Sequence, residues 1–127
     1  MTDRGAIERV LSALHEHRLA GNLERLCGLF ASDADFRIAG TSDGKPIAIS
    51  AHGETQIRSW LSMLVRTFRL TEYRLLSRLI EGERAAVHWR VQIHSKVTGG
   101  VVSTELVDLI EVRNGRIASY TEFFVPC

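Results

Sequence analysis

Ala85-Ala86-Val87-His88-Trp89-Arg90-Val91-Gln92-Ile93-His94 is the stretch that decides how this chain folds. Val87, Trp89, Val91 and Ile93 alternate with His88, Arg90, Gln92 and His94, the two-residue period of a strand with one buried face and one wet face. The same kind of run extends from Leu70 to the end of the chain. Its breaks fall at Glu81-Gly82-Glu83, Thr98-Gly99-Gly100 and Arg113-Asn114-Gly115, each a hairpin signal. Toward the start the period changes. Ile7, Val10, Leu11 and Leu14 have helical spacing, Ala20-Gly21-Asn22 supplies a Gly stop and an Asn cap, and Leu23, Leu26, Cys27 and Phe30 face one side of a second, shorter helix. Ala34–Gly40 predicts a short strand, Thr41-Ser42-Asp43-Gly44 a turn, and Pro46–Ser50 a second strand. Gly53-Glu54 then opens a third helix carrying Ile57, Trp60, Leu61, Leu64 and Phe68. The order α-α-β-β-α-β-β-β-β predicts an α+β domain in which three helices of the first half cover a strongly bent antiparallel sheet with a pocket on its concave side.

The chain's 127 residues suit a single domain over 1–127, and 45% hydrophobic residues supply a core without disulfides or metal. Sixteen Lys and Arg against 15 Asp and Glu leave a net charge of +1, which argues against nucleic-acid or anionic-membrane partners. Cys27 and Cys127 make neither a disulfide framework nor a zinc site, and Cys27 reads as a packed core residue. No run is long and apolar enough to span a bilayer, and the opening MTDRGAIE lacks the pattern of a leader. The expectation is a reducing, cytoplasmic setting.

Pairing arithmetic places the chemistry. If Lys96 pairs with Val101, Trp89 faces Asp108 on the next strand and Asp108 points inward. A two-residue Asn114-Gly115 turn would then put Asp108 and Glu122 on opposite faces. A three-residue Arg113-Asn114-Gly115 loop instead sets Asp108 opposite Tyr120 and Glu122 opposite Leu106, gathering Trp89, Asp108, Tyr120, Glu122 and Phe124 on the concave face. Two carboxyls that close, beside an indole, cannot both ionise freely, so at least one has a raised pKa suited to acid-base work. Tyr120 adds a neutral donor for an oxyanion. The alternative is that either acid is satisfied by a backbone amide, a buried Arg or water. The opposite face carries Val107, Leu109, Ile117, Thr121, Phe123 and Val125, and with no segment left after Cys127 to cover them, a second copy of the chain is the expected partner.

Several stretches together resemble the nuclear transport factor 2-like superfamily, and within it the SnoaL-like polyketide cyclase and ketosteroid isomerase-like branch. They are Ala20-Gly21-Asn22-Leu23-Glu24 followed by Leu29-Phe30-Ala31-Ser32-Asp33, Gly53 with Ile57-Arg58, Val107-Asp108 through Asn114-Gly115-Arg116-Ile117, and Tyr120-Thr121-Glu122-Phe123-Phe124-Val125-Pro126. The resemblance covers essentially the whole chain and implies a cone-shaped, cystatin-like barrel around a ligand pocket, as a homodimer. It also implies that Asp108 matches the protonated aspartic acid of the isomerases' oxyanion hole and Glu122 a working acid on the last strand of cyclase-like relatives. The isomerases' acidic base corresponds to Ile38 and their helix-one tyrosine to Leu14, so that apparatus is missing here, and the Asp-Arg-Asp arrangement of limonene epoxide hydrolases is not evident.

The candidate catalytic residues are therefore Glu122, Asp108 and Tyr120, with Trp89, Phe124, Trp60, Tyr73 and Ile38 lining the substrate site and no metal or organic cofactor. His52 could reach the pocket mouth but reads more simply as a solvated loop residue, and His88 and His94 as an outward pair. Two readings stay open: a cofactor-independent isomerase, cyclase or dehydratase acting on a small apolar carbonyl compound, or a non-catalytic ligand-binding or dimerisation module.

Overall fold

A computed structural model of the chain describes residues 3–42 and 44–126, so Asp43 of the first turn and Cys127 lie outside the described residues. Helix α1 (Arg4–Ala20) starts at Asp3, whose side chain accepts from the Ala6 amide at 2.7 Å. It stops at Gly21, which takes the left-handed conformation (φ 69°) and returns its N–H to the Arg18 carbonyl. Asn22 then caps α2 (Leu23–Cys27) through the Arg25 amide. After β1 (Phe30–Ser42) and β2 (Lys45–His52) comes α3 (Gly53–Thr67), and the chain closes with β3 (Phe68–Glu81), β4 (Arg84–Ser95), β5 (Val101–Arg113) and β6 (Arg116–Pro126). Element order and type follow the periodicity, although β1 is nearly twice the expected length.

The six strands form one sheet in the order β2-β1-β6-β5-β4-β3. Every pairing is antiparallel except β1 with β6, which run parallel, the long connection that parallel neighbours need being supplied by α3 and the four strands between them. The sheet is open and not strongly curled: β2 and β3 end it as separate edges, in contrast to the closed, strongly bent barrel expected. The helices cover one face, and Ile7, Leu11, Leu14, Ile57 and Leu61 meet Phe36, Val87, Trp89, Val91 and Leu106 from the sheet, all buried. Cys27 packs against this core as a free thiol that burial pushes up, an unreactive placement.

Both expected registers are corrected. Val101 pairs with His94, not Lys96, so Trp89 faces Leu106 and Asp108 faces Val87. The reason is visible at Lys96, whose backbone amide donates to the Thr67 carbonyl at 2.8 Å and whose ammonium donates to that of Val65, tying it to the end of α3. The displacement is two residues, so every side chain keeps its face. At the last hairpin, Arg113 pairs with Arg116 around a two-residue Asn114-Gly115 turn with φ of 53° and 76°, the doubly left-handed turn that Asn-Gly favours.

That turn alone would have separated the two acids. A bulge restores them to one face: Glu111 pairs with Ser119 but Val112 with Ile117, leaving Ala118 as the extra residue. Beyond it Asp108 stands directly opposite Glu122, and Ile110 opposite Tyr120. The bulge also turns Ile117 into the core, fully buried, and removes it from the outward patch to which it was assigned.

Gly40, on β1 between Ile47 of β2 and Phe124 of β6, has no room for a side chain. A Cβ there would lie 2.5 Å from the Phe124 carbonyl oxygen and 2.7 Å from its ring. Gly40→Ala is expected to lower stability by about 1–3 kcal/mol, as overpacked sites do. An unchanged urea midpoint would show that β1 and β6 can part without loss.

Candidate functional site

Asp108 and Glu122 are opposite partners in the middle of the sheet, beneath α1. Opposite same-face positions bring Cβ atoms to within ~5 Å, and neither carboxyl reaches bulk water. What separates their behaviour is α1. Leu14 and Arg18 are one turn apart, as are Leu11 and His15, so the apolar stripe of the helix ends in two polar side chains aimed at the sheet.

Arg18 grips Glu122 with both terminal nitrogens, Nη2 to Oε1 at 3.1 Å and Nη1 to Oε2, and Nη1 also donates to the Tyr120 hydroxyl at 3.0 Å. Tyr120 in turn donates to Glu122 Oε2 at 2.5 Å. The guanidinium carbon sits 5.3 Å over the Trp89 ring, a cation–π contact. Burial raises the Glu122 carboxyl, but the Arg18 charge and the hydrogen bonds from Arg18 and Tyr120 outweigh it and hold the group below its ordinary range. Burial, reinforced by the neighbouring acids, lifts the Tyr120 phenol well above its ordinary value.

Asp108 has weaker support. Its Oδ2 accepts from the Trp89 indole N–H at 2.9 Å and lies 3.3 Å from His15 Nε2, while Oδ1 is buried without a partner among the described residues. Burial, then the charge of Glu122, pushes this carboxyl up to about 6 against the pull of His15 and Arg18. One environment thus yields an ionised carboxylate and, beside it, a carboxyl that holds its proton into the mildly acidic range. His15 continues outward, its Nδ1 2.7 Å from the Tyr73 hydroxyl. A consistent assignment has Tyr73 O–H donating to Nδ1 and Nε2–H donating to Asp108.

The sign of a stability test follows. Because the folded value of Asp108 lies above its ordinary 3.8, the contribution of its protonated form is fully present below that value and is lost as pH rises through about 6. Between about pH 4 and pH 8, stability should shift in favour of Asp108→Asn over the wild type by on the order of 2–3 kcal/mol. A difference that stays flat across this window in denaturant titrations would remove the ionisation of Asp108 from the account.

Above the pair lies a pocket of about 370 Å³. Ile38, Leu61, Leu64, Leu106 and Phe124 are among its apolar walls, and Arg18 and Glu122 are its only ionisable lining groups among the described residues. Of the expected lining residues, Ile38 and Phe124 border this space. Trp89 lies underneath as a donor to Asp108, Tyr73 borders a second cavity behind His15, and Trp60 packs on the core away from the pocket walls. Asp108 and Tyr120 stand behind Glu122 and do not form the pocket wall.

Sequence reasoning missed Arg18 and His15. The available signal was their place on the Ile7–Leu11–Leu14 stripe, where apolar residues are the rule. The three histidines weighed from the sequence lie apart: His52 pairs with Asp35 at 2.8 Å on the surface, His88 with Glu105, and His94 with the Thr71 hydroxyl. No group of three metal-ligating side chains occurs among the described residues.

Helices of the first half laid over a six-stranded, mostly antiparallel sheet make the nuclear transport factor 2-like fold. The chain belongs to the SnoaL-like domain family, whose model matches residues 7–120. Among solved structures it is similar to a provisionally named isomerase from Bacillus subtilis (17% identity, TM-score 0.83, 98% of this chain and 90% of that one). It is also similar to a provisionally named isomerase from Rhodopseudomonas palustris (20%, 0.79, 98% and 91%) and to a limonene-epoxide-hydrolase-like epoxide hydrolase from M. tuberculosis (12%, 0.73, 95% and 84%). At these identities the likeness is one of fold. No curated protein matches the chain.

Proposed function

We propose that this SnoaL-like protein binds a small, neutral, largely apolar carbonyl compound and moves a proton at the carbon next to the carbonyl, as a cofactor-independent isomerase, cyclase or dehydratase. The observation that carries this reading is the apolar pocket whose one charged spot, Arg18 with Glu122, is electrically neutral as a pair. A ligand that brought its own charge would have to break that pair in a desolvated place. A carbonyl oxygen needs only a donor, and Arg18 has five N–H groups of which three are used in the bonds described above.

In this reading Glu122 takes the proton, the C–H electron pair becomes a C=C bond, and the negative charge arriving on oxygen is held by Arg18. Tyr120, expected as an oxyanion donor, is instead committed to Glu122, and Asp108 acts from behind it. Base and electrophile both come from the chain, so the reading requires no metal or organic cofactor. A cytoplasmic setting belongs to it as well; Cys27 is free, and no helix among the described residues is long and apolar enough to cross a membrane.

One observation favours the second reading, a binding module without turnover. Arg18 and Tyr120 together engage most of the acceptor capacity of Glu122. Cyclohexanone deuterated at both α-carbons separates the two. Binding seen by ligand-observed NMR together with loss of deuterium to water supports acid-base chemistry. Binding without exchange supports the module, and no binding of either cyclohexanone or 2-cyclohexen-1-one contradicts both.

We further propose a homodimer through the outer sheet face. Leu109, Phe123 and Val125 are exposed there beside Val107 and Thr121, on the adjacent strands β5 and β6. Glu at both 109 and 123 should give monomer or aggregate in sedimentation, because unpaired charge would enter an apolar contact. An unchanged dimer would place the interface elsewhere.

A further inference from the structure

The second cavity, of about 280 Å³, lies between α1 and β3 and is bordered by Leu11, Ser12, His15, Glu16, Tyr73 and Arg78. Ser12 and Glu16 are exposed, so this space opens to water, while His15 on its inner wall is only 7% exposed. A chain of side chains joins it to the pocket on the other side of α1. Tyr73 meets His15 at 2.7 Å, His15 meets Asp108 at 3.3 Å, and Asp108 is the cross-strand partner of Glu122, which borders the pocket.

Each member of that chain can both accept and release a proton. Of the other groups around the two acids, Arg18 and Trp89 are donors only, and the Tyr120 hydroxyl is held between Arg18 and Glu122, on the side away from the second cavity's lining. Asp108 Oδ1, buried and without a partner among the described residues, is the oxygen left open for a proton arriving from Glu122, while Oδ2 already faces His15. The need for such a path is physical. Glu122 is 3% exposed and looks into a pocket that an apolar ligand would fill, so a proton taken from carbon has no water to reach on that side.

We propose that Asp108 and His15 relay protons between Glu122 and water in the second cavity, with Tyr73 holding the imidazole in place. The proposal rests on the reading of Glu122 as the base. Passing a proton outward uses the alternative His15 tautomer, in which Asp108 carries its proton on Oδ2 and donates to a bare Nε2 while Nδ1–H donates to the Tyr73 oxygen. The Glu122 O–H then breaks as Asp108 Oδ1 gains that proton, the Oδ2–H breaks as Nε2 gains one, and the Nδ1–H breaks as cavity water gains one, directly or through the Tyr73 hydroxyl, which passes its own proton on. No electrons are transferred, and the reverse sequence resets the chain. Besides Asp108 and Tyr73, the charged groups bordering His15 are Glu16 and Arg78 across the cavity, with Arg18 and Glu122 beyond Asp108. His15 and Tyr73 act through Asp108 and do not border the pocket, so they are positioning and relay residues.

The test follows deuterium loss from α-deuterated cyclohexanone, using the intact chain. His15→Ala should bind the ketone as the wild type does but exchange ~10–10²-fold more slowly, within the usual weight of a positioned proton carrier. Added imidazole, small enough for the vacated cavity, should restore most of the rate. His15→Gln, which can still bridge Tyr73 and Asp108 but cannot relay, should be as slow as the Ala variant; it carries the test if the Ala variant does not fold. Wild-type exchange rates in either variant would overturn the relay and leave Glu122 as base. Slow exchange in the Ala variant that imidazole does not rescue, with a normal rate in the Gln variant, would make His15 a structural residue and also overturn it. No exchange by the wild type would remove the reading of Glu122 as base, and the relay with it.

Discussion

Arg18→Met is expected to lower the stability of the fold by about 3–5 kcal/mol, the usual cost of removing one partner of a buried ion pair. Domains of this kind have only about 5–15 kcal/mol in total, so the variant should lie close to unfolding. The cause is the group left behind: Glu122 would keep the Tyr120 hydroxyl but lose two guanidinium bonds and the charge that holds it ionised. Its carboxyl would then rise, because burial, now opposed by little, favours the neutral form. Arg18→Met combined with Glu122→Met should recover most of the loss, since an apolar pair of similar volume often replaces a buried salt bridge at little cost. Urea midpoints for the two variants check this. A single variant as stable as the wild type would mean that the pair contributes nothing to the fold.

Glu122→Gln should reduce deuterium exchange from cyclohexanone by ~10²–10⁴-fold, the weight of a positioned base, while ketone binding changes little. The amide keeps the length of the side chain, and its oxygen can still accept from Arg18, so the pocket wall persists. What disappears is the ability to take a proton. The binding-module reading expects no exchange in either protein. Exchange that survives in Glu122→Gln would assign the base to another group.

The strand alternation at Val87–Ile93 was legible because one face of β4 is buried and the other is not, and the helix stops were legible in Gly21 and Asn22. The shared face of Asp108 and Glu122 was also reached, but by a route the structure does not follow. The first hairpin is displaced by two residues, which leaves parity untouched, and at the second a bulge at Ala118 does the work assigned to a three-residue loop. Ile117 and Ala118 are both buried, a local break in alternation that a sequence of small and apolar residues does not announce. The helix-one half of the site was illegible for a different reason. Arg18 lies near the end of its helix, where cations are common for the dipole alone, so its inward direction emerges only when Glu122 is known to face it.

The central claim is that an electroneutral Arg18–Glu122 pair receives the oxygen of a neutral carbonyl compound inside an apolar pocket. A crystal structure with 2-cyclohexen-1-one tests it most directly. The account predicts the ring among Ile38, Leu61, Leu106 and Phe124, its oxygen ~2.8–3.1 Å from an Arg18 nitrogen, and the Arg18–Glu122 pair intact. The ring reversed, with its oxygen turned away from Arg18, or lodged outside this pocket, would contradict it.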